Sequence, residues 1–76
     1  MIFEQVLKNI GARIKEIRES KGISQQSLAD ACNFEKSNMS RIEAGRTNLT
    51  VRTLYKISQA LGIKLSELVD VKHSSL

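Results

Sequence analysis

Three observations predict an all-α chain of five helices. No proline occurs in the 76 residues, so no helix interior is interrupted by one. Aromatic residues make up only 4% of the chain, which argues against a β-sandwich, whose strands draw on aromatic and β-branched side chains. Apolar residues recur at three- and four-residue intervals, in runs punctuated by Gly22, Gly45 and Gly62, the spacing of one helix face. A chain of this size buries about 60% of its unfolded surface. With a single cysteine and no internal disulfide, its stability must come from close helix packing or from dimerisation.

Met1 and Ile2 form a short arm before the first helix. That helix is expected over Phe3 to Ser20, with Phe3, Leu7, Ile10, Ile14 and Ile17 as its buried stripe. Gly11 lies inside it, at a cost of up to about 1 kcal/mol against alanine. Such a position admits the close approach of another helix. Lys21 and Gly22 end the helix, a cation near the negative dipole end followed by a glycine.

Ser24 is a good N-cap for a second helix, because its hydroxyl can accept from a backbone N–H in the first turn. Leu28, Ala29 and Cys32 form its inner face. The chain must then reverse at Asn33, and asparagine is second only to glycine in tolerating left-handed backbone angles. A third helix follows, from about Glu35 to Ala44, with Met39 and Ile42 pointing inward and Gly45 as its stop. Thr50 caps a fourth helix whose inner residues are Val51, Leu54, Ile57 and Leu61, and Gly62 ends it. A short fifth helix spans about Leu65 to Val69. Lys64 is a poor cap for it. Residues 70–76 are read as a flexible tail, and its His73 has no partners for metal binding or catalysis.

The location of the charge is more informative than its size. The net charge is +4, and it is carried entirely by residues 36–56, where Lys36, Arg41, Arg46, Arg52 and Lys56 face Glu43 alone. The segments on either side are neutral. Segregation of this kind is the footprint of a phosphate-binding face. On the third helix, Ser37, Arg41 and Ala44 lie opposite the buried seam, Asn38 and Ser40 flank it, and Lys36 occupies the first turn. Such a face suits a DNA major groove. Arg and Lys donate to guanine, Asn pairs with adenine, and Glu35 can accept from cytosine N4. An ordinary solvated surface is the competing reading.

The segment 24–44 resembles the helix-turn-helix of the phage repressor and Cro (XRE-like) regulators. The matching residues are Ile23 to Ala29, Met39 to Arg46, Thr53 to Ile57 and Ala60 to Ile63. Together they extend the likeness over roughly residues 7–70, nearly the whole chain. Asn33 stands where the family usually has glycine, and Glu35 replaces the usual small or polar cap. The resemblance implies a compact five-helix, lambda-repressor-like DNA-binding domain occupying residues 1–76. It also implies an ion pair between Arg18 and Glu43 that orients the third helix, and a phosphate contact from Gln25. The base-reading set is then Glu35, Lys36, Ser37, Asn38 and Arg41. The backbone-contacting set is Gln25, Ser40, Arg46, Thr47, Asn48 and Arg52, while Lys56 either extends that face or is simply solvated. Family dimers meet near the C-terminal end of the domain, so Ile63, Leu65, Leu68 and Val69 are the expected two-fold interface.

Other functions find little support. One His, one Cys and no convincing phosphate loop or carboxylate pair argue against an enzyme, a metal site or a cofactor. Cys32 is read as a small core residue. No apolar run approaches the ~18 residues of a membrane span, and no signal peptide is apparent, so a cytoplasmic location is expected. The reading is a homodimeric, sequence-specific regulator of transcription that binds double-stranded DNA at an inverted repeat. It is similar to Cro proteins and to the controller proteins of restriction-modification systems. The competing reading is an antitoxin-type protein-binding module with secondary DNA binding. An excised domain of a longer regulator is a third. Contacts with a toxin or with RNA polymerase cannot be read from these residues.

Overall fold

The computed structural model describes residues 2–69 and contains five helices, α1 (Phe3–Ser20), α2 (Gln25–Cys32), α3 (Lys36–Glu43), α4 (Val51–Leu61) and α5 (Leu65–Leu68). The all-α expectation is met. The third helix is one residue shorter at each end than expected, since Glu35 and Ala44 are its caps, and α5 stops one residue early with Val69 as its C-cap. The expected flexible tail, including His73, lies outside the described residues.

Helices α3 and α5 pack against α1, α2 packs on α3 and α4, and α4 packs on α5. Ile10 and Ile14 of α1, Leu28, Ala29 and Cys32 of α2, Met39 and Ile42 of α3, Leu54, Ile57 and Leu61 of α4, and Leu68 of α5 make one core. Leu7 is buried beside it. Ser58 is also fully buried, and its hydroxyl donates to the Tyr55 carbonyl at 2.7 Å. Such a bond satisfies the only polar atom of a small side chain, so it sits in the core without penalty.

Two stripe residues are not where periodicity puts them. Phe3 is 57% exposed and Val51 is 71% exposed. Each occupies the first position of its helix, and helical side chains lean toward the N-terminus. The eighteen residues of α1 span about 27 Å, longer than any partner, so its first turn overhangs the core. Ile17 is only half-buried at the other end.

Ser24 and Thr50 cap α2 and α4 as expected, accepting from the backbone N–H groups of Ser27 at 3.0 Å and Thr53 at 3.1 Å. The start of α5 is held from the other direction. The Glu67 carboxylate accepts from the Lys64 backbone N–H at 3.2 Å, half of a capping box. The Arg13 guanidinium adds a bond from α1 to the Glu67 carbonyl at 3.1 Å.

Candidate nucleic-acid interface

The candidate interface is built on the turn between α2 and α3. Asn33 adopts φ 61° and ψ 40°. The Phe34 N–H then reaches back to the Ala29 carbonyl at 2.8 Å, the bond that closes a Schellman turn. This turn sets α3 against α2, and Met39 and Ile42 lock it inward with 0% and 2% exposure. On the far side of the turn, the Lys56 ammonium of α4 lies 5.6 Å from the Phe34 ring centroid, a cation–π contact. Sequence reasoning placed Lys56 on an open face and missed this contact. A cation and an aromatic 22 positions apart give no local signal.

The inner end of α3 is anchored through Glu43. Its Oε2 accepts from Arg18 Nε at 2.7 Å, and its Oε1 accepts from Arg18 Nη2 at 3.1 Å and from Gln25 Nε2 at 3.0 Å. A further bond, from Arg18 Nη1 to the Ile23 carbonyl at 2.8 Å, ties in the α1–α2 connection. Arg18 and Glu43 are 7% and 8% exposed. The Glu43 hydrogen bond holds the Arg18 guanidinium above its ordinary pKa against the opposing cost of burial. A bidentate pair with its remaining groups bonded is the arrangement in which two buried charges are tolerated.

Backbone packing seats the same end. A Cβ placed on Gly11 would lie 2.5 Å from the Ile42 carbonyl oxygen and 2.6 Å from that of Glu43. Only glycine lets α3 end against α1 at this depth. Gly45, at φ +72°, meets α1 in the same way, where an added Cβ would lie 2.6 Å from Lys8 Cα. An interior glycine in α1 signalled the first contact, but the sequence did not say which helix approaches.

The outer face of α3 is different. Glu35, Lys36, Ser37, Ser40 and Arg41 are exposed and Asn38 is half-buried. None of these side chains makes a hydrogen bond or ion pair with another of the described residues. The same is true of Arg46, Thr47 and Asn48 in the following loop and of Arg52 in α4. Glu35 caps α3 without a side-chain hydrogen bond, so its carboxylate is also uncommitted. Donors and acceptors on the outer side of α3, in the loop after it and at the start of α4 are thus left without partners among the described residues. Gln25 shares the neighbourhood, with its amide turned to Glu43.

The four residues of the expected two-fold interface do not form one exposed set. Leu68 is 0% exposed and belongs to the protomer's own core, so its placement at an interface is corrected. It faces inward because α5 has one apolar side and must spend it on closing the bundle. Ile63 and Leu65 are half-buried against that core, and Val69 is 43% exposed. Cys32 is a buried free thiol whose pKa is pushed up by burial, with Lys56 opposing. Among the described residues no His, Cys, Asp and Glu cluster suits a metal ion, and no helix is long and apolar enough to cross a membrane.

Comparison with known proteins agrees with this geometry. The helix-turn-helix family model HTH_3 matches residues 14–68. The chain is 39% identical over 62 residues to y4dJ of Sinorhizobium fredii, an uncharacterized HTH-type transcriptional regulator, covering 82% of this chain and 80% of that protein. Its fold matches the restriction-modification controller protein C.AhdI from Aeromonas hydrophila with a TM-score of 0.79 at 32% identity, over 87% of this chain and 98% of that one. The biofilm master regulator SinR, in a crystal structure with DNA, matches with a TM-score of 0.73 at 39% identity, over 80% of this chain and 98% of that one. By name these relatives are regulators or controllers, and none is named as an enzyme. The chain belongs to the helix-turn-helix family of DNA-binding transcriptional regulators.

Proposed function

We propose that the protein is a sequence-specific regulator of transcription that binds an inverted-repeat operator as a homodimer, with α3 of each protomer in a major groove. The observation that carries this reading is the contrast on α3: its inner side is fixed by buried contacts, while its outer donors are uncommitted. Arg41 and Lys36 suit guanine, Asn38 suits adenine, Ser37 suits several bases, and Glu35 suits cytosine N4. Gln25, Ser40, Arg46, Thr47, Asn48 and Arg52 hold the sugar-phosphate backbone and set register. The Arg18–Glu43 pair orients α3 without touching DNA. A dimer formed through Ile63, Leu65 and Val69 would set half-sites about 34 Å apart, one turn of the duplex. Residues 1–76 act as one DNA-binding domain, working in the cytoplasm without a cofactor.

Fluorescence anisotropy tests this reading. The probe is duplex from upstream of the protein's own gene, beside a scrambled duplex, at several salt concentrations. Tighter binding to the native duplex and a steep fall with salt are expected. Equal, weak and salt-insensitive binding to both would overturn the reading. Sedimentation of the complex should give two protomers per duplex, and Val69→Asp should weaken that assembly while leaving each protomer folded.

A further inference from the structure

Lys8 lies on α1, outside every segment with a charge excess, yet the fold carries it to the C-terminal end of α3. A Cβ placed on Gly45 would lie 2.6 Å from Lys8 Cα and 2.8 Å from both its backbone nitrogen and its Cγ. The α1 backbone therefore touches the residue that ends α3, and the Lys8 stem starts across it. The next residue along the chain is Arg46. Lys8 is exposed, as is Arg46, and neither has a carboxylate within ion-pair distance among the described residues. The cations that α1 does commit, Arg13 and Arg18, are both paired with glutamates.

We infer that Lys8 is a further phosphate ligand, which joins Arg46 on the DNA backbone at the C-terminal end of α3. The inference rests on the reading that α3 lies in the major groove. Two cations then flank one glycine, one from each side of a junction with no side chain between them. A lysine ammonium on a flexible stem suits this role, because it meets a phosphate as a point charge and needs no fixed fork geometry. The contact reads no base. It makes α1 part of the DNA-binding surface and gives Gly45 a second reason to be glycine, since a side chain there would hold Lys8 away.

The test uses the full chain and a scrambled duplex as well as the native one, because a phosphate contact is indifferent to sequence. Lys8→Gln, Lys8→Arg and Lys21→Gln are compared with the parent protein between 50 and 200 mM salt. Lys21 is the control: it is an exposed lysine about 140° around α1 and roughly 20 Å along it from Lys8. One phosphate contact contributes about 0.9 to the logarithmic salt slope, so over this range the parent should lose about 3.5-fold more affinity than Lys8→Gln. The difference should be the same on both duplexes. Lys8→Arg should keep the parent slope, and so should Lys21→Gln. An unchanged slope in Lys8→Gln, or an equal change in Lys21→Gln, would overturn the inference while leaving the DNA reading intact. A parent protein insensitive to salt on both duplexes would overturn the DNA reading, and this inference with it.

Discussion

The inner side of α3 is held by buried contacts, most of all near its C-terminal end, and its outer side by none among the described residues. Arg18 and Gln25 grip Glu43, Gly11 admits the last carbonyls, and Gly45 rests on Lys8. On the outer side Glu35 caps without a side-chain bond, and Lys36, Ser37, Asn38 and, in the last turn, Arg41 make no side-chain hydrogen bond or ion pair with a described residue. A helix that reads DNA has to satisfy both conditions. Its axis must be fixed to well under the spacing of neighbouring bases, and its reading groups must not be satisfied by the protein itself. The structure separates the two demands between the two faces of eight residues: the frame is buried and paired, and the reading face is unpaired and, apart from half-buried Asn38, exposed.

The largest effect should come from breaking the frame. Arg18→Met strands the buried Glu43 carboxylate and should cost about 3–5 kcal/mol in urea denaturation. Adding Glu43→Leu removes the stranded charge, so the double variant should recover much of that loss. Recovered stability without recovered DNA binding would show that the pair serves orientation. Gly11→Ala comes next. Helix propensity favours alanine by up to about 1 kcal/mol, but its Cβ meets backbone carbonyls that cannot swing aside, and a net loss of about 1–3 kcal/mol is expected. A stabilised Gly11→Ala would mean that α1 and α3 are less tightly apposed than described.

Glu35→Ser acts on the open end. A hydroxyl cap should raise stability by about 1 kcal/mol. If discrimination at one base position falls at the same time, Glu35 is a reader kept at the expense of the cap; if DNA binding is unchanged or improves, Glu35 has no part in reading. The smallest effect concerns Cys32, whose folded pKa is raised by burial. Well below the ordinary thiol pKa of about 8.5 the thiol is protonated in both states and contributes no pH dependence. Above it the unfolded chain ionises first and binds fewer protons than the folded one, so stability falls as pH rises. Cys32→Ala should remove that part of the decline in a urea series from pH 7 to 10.

Much of this was legible in the chain. Ser24, Asn33 and Thr50 are local signals with local consequences, and each does what its type and position predict. Leu28, Cys32, Met39, Ile42, Leu54 and Ile57 follow helical period into the core. Periodicity was less informative where the answer depends on a neighbour's length. It gives the side of a helix but not how far the partner extends, which is why Phe3 and Val51 come out exposed. Leu68 fails for a related reason: an apolar residue near a chain end fits a core or an interface equally well until the bundle is closed. In the candidate site, the uncommitted face of α3 lies within one short helix and was readable from its period. The contacts of Lys8 with Gly45 and of Lys56 with Phe34 join distant segments, and only the fold reveals them.

The most direct test of the division between frame and face is Arg41→Ala, measured by anisotropy against the operator and a panel of single-base substitutions, alongside its denaturation curve. Arg41 is exposed and bonded to no other side chain, so stability should be unchanged to within about 0.5 kcal/mol. Discrimination should fall by about 1–3 kcal/mol at one base pair in each half-site and stay intact elsewhere. A uniform loss across all sequences would make Arg41 a backbone contact. An unaltered panel would contradict the assignment of base reading to this face of α3.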